Sequence, residues 1–566
     1  MKNENIPDNT HDENERQNVS GNMYSYRDDN NQNVQETGAI RRSIGEGNPN
    51  LNNIQNNFGS GYNPNYINNG NVEIQYSQVN YNAPNINFFL YFTYFIIIVI
   101  EIVLIILLGI FFEYKILIKN PDVKENDFDE TNYNYKLQLL KDINIMVFIG
   151  FGMLHSILRR NSWISITINM LVIAISVQFA FLFNFLWKNA FLEKWDDQTF
   201  DFTYLMKAIF ISSSVLVTLG CVLGKLSIIQ YIILAIFETF LSTLNYQLCE
   251  EKLKIIDYGG ALYIHTFGAI FGIAVNTVLF CSTKSKASIM NFNHLNKSNY
   301  FSNLTSFLGI IILFSYFPTF NSALAQCEKL IQKGIYSTYL SLFGSVVGAF
   351  IISGFFNGGR FIFEEISYGS ISGAIIISGC STLCLDLWAP IVIGTLGASI
   401  SVIFLSKVKP YFIKWGLQDT CNIVIIHGIM GLLGGFITPM FISGFNYRKN
   451  VNIYITIIES FTGKNKRSFN DQAGIQIGGL VITIFISFIG GIATGYLMKI
   501  SLCGKLAQYF TDAEFFFEEE TNIFEYIEQN TAFNIDINNP SLFKMDYQTY
   551  NQKSGTQDIR GSQPSY

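Results

Sequence analysis

A succession of long apolar runs constrains this chain more than any other feature. About twelve of them lie near 88–112, 140–158, 163–187, 203–222, 227–248, 258–281, 304–325, 336–356, 367–387, 389–408, 421–443 and 473–499. Each is ~20 residues, long enough as a helix to cross a hydrocarbon core of ~30 Å. Inside a bilayer no water serves the backbone, so a crossing segment must satisfy its own hydrogen bonds, and a helix does that within one segment. The predicted fold is therefore an all-α polytopic membrane protein. Composition points the same way. At 49% hydrophobic and 14% charged, 566 residues are too apolar for a soluble chain that also carries long polar tails.

The tails are residues 1–86 and 501–566, flanking a membrane domain at 87–500. The first is crowded with Asn, Gln, Ser and Gly and lacks apolar periodicity, so it is expected to be disordered. No cleavable signal peptide is visible ahead of the first apolar run. Ten acidic and five basic residues within 1–86 account for −5 of the net charge of −6, which leaves the remainder near neutral and gives no sign of a nucleic-acid partner. Arg159, Arg160, Lys225, Lys284, Lys286, Lys297, Arg360, Lys407, Lys409 and Lys414 fall on one side of the expected spans. The positive-inside rule makes that side cytoplasmic and puts both termini there. Arg448, Lys449, Lys464, Lys466 and Arg467 dissent in the last outer loop. With this parity the sequons at Asn296 and Asn303 face the cytoplasm and are expected to stay unglycosylated. The cysteines fall almost wholly within or beside apolar stretches, without metal-type spacing; Cys380 and Cys384, four apart, are read as helix packing. No metal and no cofactor is expected.

Five histidines exist, and His265 and His427 fall within the sixth and eleventh spans. A charged side chain there costs about 2.5 kcal/mol or more. One such histidine taken alone is as readily a neutral packing residue as a functional one. The context, however, repeats: Asp257 precedes His265 by eight positions, Asp419 precedes His427 by eight, and Gly272 and Gly434 follow each by seven. An offset of five spans, an odd number, sends one helix in from outside and the other from inside. That is the pattern of an inverted-topology five-helix repeat whose related sites meet at the bilayer midplane. Two histidines meeting there can share a proton between their Nδ1 atoms and turn their other ring edges to a pore. Gly259, Gly260, Gly268, Gly428, Gly431 and Gly435 would let the helices pack closely at the centre.

These residues carry a resemblance. Asp257 to Gly272, DYGGALYIHTFGAIFG, resembles the D-x-G-G-x-x-x-x-H-T-F-G-A-x-F-G signature of Rh glycoproteins, and Asp419 to Gly435, DTCNIVIIHGIMGLLGG, resembles their D-T-C-G-x-x-x-L-H-G-x-x-G-x-x-G-G. Phe317 to Ala323, FPTFNSA, is similar to W-P-S-F-N-S-A, and Gly220 to Lys225, GCVLGK, to G-x-V-L-G-K. The resemblance to the Amt/Mep/Rh ammonium channel family, Rh branch, covers roughly 140–500. It implies a homotrimer with one pore per subunit, eleven core spans and an added first span. It implies twin pore histidines at His265 and His427, and two stacked phenylalanines, Phe210 and Phe320, at the outer mouth with Asn321 beside them. Asp257 and Asp419 become buried carboxylates that orient helix starts. Phe317, Thr319, Asn422 and Phe179 depart from the commoner pattern of Trp, Ser, Gly and Trp.

The expected function is recruitment of ammonium at an outer vestibule and conduction of ammonia across a plasma membrane, with methylammonium as a further substrate. Burying a bare ammonium ion without compensation costs on the order of tens of kcal/mol, which neutral ammonia largely escapes. A carbon dioxide or mixed gas channel, and an ammonium sensor without major flux, are the alternatives. No nucleophile with a base partner and no nucleotide loop supports an enzyme. Glu101 and Glu238 are read as contacts to neighbouring helices, outside the site. Trp163, Trp187, Trp388 and Trp415 are read as interface anchors, and His155 as a residue at a cytoplasmic helix end.

Overall fold

Eleven helices among the described residues are long and apolar enough to cross a membrane: Tyr91–Phe111, Asn134–Ile157, Ser162–Leu192, Phe202–Val222, Ile228–Leu253, Ala261–Phe280, Tyr300–Phe320, Glu328–Phe356, Trp388–Trp415, Val424–Gly444 and Phe469–Met498. This computed structural model describes residues 88–114, 130–158, 162–193, 195, 198–280, 297–384, 386–415, 417, 419–444, 467–500 and 512. The tail 1–86 lies outside them, as do Asn296, Arg159, Arg160, Lys284, Lys286, most of the last outer loop and all of 501–566 except Asp512.

The ninth expected span, 367–387, is shorter than its apolar run. It forms a 15-residue helix, Phe363–Ile377, and then unwinds into turns over 378–383. The cause is tertiary. The Ser378 carbonyl accepts the Gly259 N–H at 3.1 Å, and the Ser381 hydroxyl donates to the Asn321 carbonyl at 3.1 Å. These partners compete with the next helical turn. Elsewhere helices outrun the apolar stretches, since water-facing turns can be polar: Glu328–Phe356 begins well before the run at 336.

The all-α expectation needs one correction. Phe112–Tyr114 and Gln198–Phe200 pair as a two-stranded parallel sheet. Phe112 seats its ring between Phe181, Phe185 and Tyr204 at centroid separations of 5.7 to 6.5 Å, which holds the end of the first helix against the rest.

Burial ranks the helices from rim to centre. Only 6% of the first helix is buried, whereas 89% of Phe202–Val222 is. Ile98, Ile105 and Ile110 of the first helix expose apolar side chains, as a lipid-facing helix does. At the centre, backbones approach closely. A Cβ on Gly268 would lie 2.4 Å from the Ser214 carbonyl, and one on Gly431 would lie 2.9 Å from the Thr266 nitrogen, so only hydrogen fits at either position. Trp163, Trp388 and Trp415 stand exposed at helix ends.

Candidate functional site

Both aspartates start a helix of unusual pitch. Asp257 Oδ1 accepts from Ala261 N–H at 2.8 Å, and its Oδ2 accepts from Leu262 and Tyr263 N–H at 2.7 and 3.2 Å. These amides open the π-helical segment Ala261–Thr266, in which His265 N–H bonds five residues back to the Gly260 carbonyl at 3.0 Å. Asp419 Oδ2 accepts from Val424 N–H at 2.7 Å and opens the π-helical segment Val424–Ile429, which carries His427. Three residues after each aspartate the chain is left-handed: Gly260 has φ +78° and Asn422 has φ +56°. That explains how Asn422 replaces the glycine of the motif, because asparagine tolerates this conformation better than most side chains. Its Nδ2 also donates to Glu364 Oε1 at 2.6 Å, and Lys409 Nζ reaches the same oxygen at 2.6 Å. Burial raises both carboxyls to about 6, against the pull of their backbone donors.

The two units bring His265 and His427 together, Nδ1 to Nδ1 at 3.0 Å, with ring centroids 5.0 Å apart. One Nδ1 carries the shared proton and the other accepts it. In the neutral pair, one Nε2 is therefore an acceptor and the other an N–H donor. Both rings are buried, and His265 Nε2 has no hydrogen-bond partner. The pair thus offers one donor and one acceptor to a small solute that can both give and take a hydrogen bond.

Aromatic rings continue the line on both sides. Phe210 and Phe320 stack at 5.2 Å with 25° between planes. Phe320 meets Phe317 edge-on at 6.3 Å, and Phe317 lies 6.1 Å from His265. Beyond the pair, Phe151 lies 6.3 Å from His427 and 6.0 Å from His155. Ile157 and Leu158, just after His155, line a cavity of about 530 Å³ together with Asp419, Asn422, Ile425 and Lys409. Asn321, fully buried, caps the helix that ends at Phe320 and donates through Nδ2 to the Ala374 carbonyl at 2.8 Å, while its Oδ1 is unpartnered.

All seven candidate residues, His265, His427, Phe210, Phe320, Asp257, Asp419 and Asn321, are thereby located. His265, His427, Phe210 and Phe320 fall on one continuous file. Asp257 and Asp419 cap the π segments beside it, and Asn321 packs behind, with Gly259 against its Oδ1. Glu101 and Glu238 contact neighbouring helices: Gln178 Nε2 donates to Glu101 at 3.4 Å, and the Thr218 hydroxyl donates to Glu238 at 2.8 Å. The file also contains Phe151, Phe317 and His155, which sequence reasoning left out. Their signal was helical spacing. Phe317 is three residues before Phe320, and Phe151 four before His155, so each pair shares a helix face.

Comparison with known proteins gives the chain's family. The sequence profile of the Ammonium Transporter Family matches residues 94–507. The ammonium transporter Rh type B of Danio rerio is 30% identical over 422 residues, covering 72% of this chain and 88% of that one. The ammonium transporter Rh type C of Homo sapiens is 28% identical over 415 residues, covering 71% and 84%. Among solved structures, Nitrosomonas europaea Rh50 superposes with a TM-score of 0.58 at 23% identity, over 75% of this chain and all of that one. At that identity the likeness speaks for the fold. The chain belongs to the ammonium transporter family, within its Rh branch.

Proposed function

We propose that this protein is an ammonium channel that recruits ammonium at an outer vestibule, leaves the proton behind, and passes neutral ammonia through the file of rings between Phe210 and His155. The observation that carries this reading is the buried imidazole pair with Nδ1 atoms 3.0 Å apart. An ammonium ion has only donors, whereas the pair turns one donor and one acceptor toward a solute. Ammonia, with a lone pair and three N–H groups, satisfies both. The apolar surroundings penalise the ion far more than its conjugate base.

Phe210 and Phe320 form the outer constriction, and aromatic faces ahead of it attract the cation by ~0.5–2 kcal/mol. Asp257 and Asp419 hold the two histidine-bearing segments in register. The likeness of the two Asp–left-handed residue–His units supports an inverted repeat, and the family membership supports a homotrimer with one pore per subunit. Methylammonium is a second expected substrate. The basic loops support a plasma-membrane protein with both termini cytoplasmic. Epitope tags on intact cells test this, and an N-terminal tag accessible from outside contradicts it. Purified protein in liposomes, with internal pH followed after an ammonium jump, tests conduction itself. The expected outcome is rapid alkalinisation that depends on the protein, and a rate no faster than that of empty vesicles contradicts the reading.

A further inference from the structure

Away from the conduction file, the end of the first helix carries a second cavity. Leu108, Gly109, Phe112, Glu113, Phe181 and Phe200 line a space of about 340 Å³, within the size range of small-molecule sites. Its aromatic walls face in different directions. The Phe181 and Phe200 rings meet edge-on, with centroids 5.1 Å apart and planes at 82°, and the Phe112 plane is turned 57° from that of Phe181 at 6.5 Å. A carboxylate completes the wall. Glu113 is exposed, and among the described residues no hydrogen bond or ion pair engages its side chain. None of the described lining side chains is basic.

The backbone fixes these walls in place. Phe112–Tyr114 pairs in parallel with Gln198–Phe200, with Glu113 opposite Thr199, so one small sheet carries both the carboxylate and the Phe200 ring. Phe112 packs against Phe185 and Tyr204 at 5.7 and 5.8 Å, which holds its ring in position. The cavity also spans a boundary. Leu108 and Gly109 lie in the last turn of the apolar helix Phe88–Phe111, and a Cβ on Gly109 would meet nothing within 4 Å, whereas Glu113 lies two residues beyond the helix. Only 6% of that helix is buried, so it belongs to the lipid-facing rim. An interface belt accounts for aromatic rings at such a depth, but not for rings set at angles around a carboxylate.

We propose that this cage binds the trimethylammonium head group of a phosphatidylcholine from the adjoining leaflet, with an acyl chain laid along Leu108 and Gly109. A quaternary ammonium carries a full positive charge and has no N–H to donate. Aromatic faces attract it through their quadrupoles, and the Glu113 carboxylate supplies the opposite charge. A primary ammonium, as in phosphatidylethanolamine, brings three donors to a site where Glu113 is the only described lining side chain that accepts a hydrogen bond. An anionic head group is repelled by the same carboxylate. The bound lipid bridges the first helix and the helix Ser162–Leu192, which carries Phe181.

The test uses full-length protein extracted in detergent from vesicles of equal parts phosphatidylcholine, phosphatidylethanolamine and phosphatidylglycerol. Native mass spectrometry counts the lipids retained, and a titration with dihexanoyl-phosphatidylcholine gives the affinity. Phosphatidylcholine is expected to be enriched over both other lipids. Glu113→Gln and Phe200→Leu each weaken the affinity about three- to ten-fold, whereas Phe200→Tyr holds the wild-type value because an aromatic face remains. Equal retention of the three lipids overturns the proposal, as does an unchanged affinity in both Glu113→Gln and Phe200→Leu. A loss in Glu113→Gln with no change in Phe200→Leu assigns a plain carboxylate–cation contact and overturns the cage. Choline chloride that binds as tightly as dihexanoyl-phosphatidylcholine overturns a lipid as the source of the head group. Thermal midpoints are measured on every variant, and Glu113→Gln, at an exposed position, decides the matter where Phe200→Leu does not fold.

Discussion

Replacing Asp257 by alanine removes the acceptor of three backbone donors at once. Ala261, Leu262 and Tyr263 N–H groups bond to its carboxylate at 2.8, 2.7 and 3.2 Å, and the residue is only 4% exposed, so water cannot substitute. A hydrogen bond to a charged group contributes ~1.5–3 kcal/mol, but three that share one carboxylate do not add, and burying that carboxylate carries its own cost. A net loss of ~3 kcal/mol is the reasonable expectation. Asp419→Ala is the internal control. There one short bond, from Val424 N–H at 2.7 Å, is joined only by a weaker approach of Ile423 N–H, and Oδ1 is unpartnered, which predicts a loss of ~1–2 kcal/mol. Thermal unfolding of both variants in the same detergent reads the difference: Asp257→Ala lowers the midpoint about twice as far as Asp419→Ala. Equal shifts, or the reverse order, would refute the view that these carboxylates act by capping the segments that carry the histidines.

Two further outcomes follow. Asp257 and Asp419 titrate at about 6 in the folded protein against an ordinary 3.8, so between those values the folded state holds protons that the unfolded state has released. Protonation then stabilises the fold fully below about pH 4, and this contribution is lost as pH rises through about 6; the midpoint of wild type should fall across that window relative to Asp257→Asn, and parallel pH profiles would contradict it. The stacked pair Phe210 and Phe320, centroids 5.2 Å apart, should set the outer constriction, so the double change to alanine alters ammonium or methylammonium uptake at unchanged surface expression, and unaltered uptake removes both from the site.

Much of the site was legible because its geometry is written as spacing. Asp257 and His265, and Asp419 and His427, stand eight apart in each unit, and the structure turns that spacing into a carboxylate that caps a π-helical segment bearing a histidine. Hydropathy alone located the helices but not their ends. The run 367–387 stays apolar past residue 377, and only the contacts of Ser378 with Gly259 and of Ser381 with Asn321 reveal why the helix stops. The paired strands Phe112–Tyr114 and Gln198–Phe200 were invisible for the same reason, since three residues carry no period and their partners are remote in sequence. His155 was read as a helix-end residue because arginines follow it. Its end position is correct, but its complete burial depends on what packs over it, Phe151 and Gly220 among them.

Net charge carried per ammonium transported tests the central claim most directly. Voltage-clamped cells or supported membranes report current, and isotopic or pH-based flux on the same preparation reports the amine. The account predicts flux without stoichiometric current in the wild type, reduced flux when His265 or His427 is replaced by alanine, and new current when His265→Glu offers a cation a carboxylate inside the file. One charge moved per ammonium at every voltage and pH in the unmodified protein would contradict passage of neutral ammonia and require an electrogenic mechanism in its place.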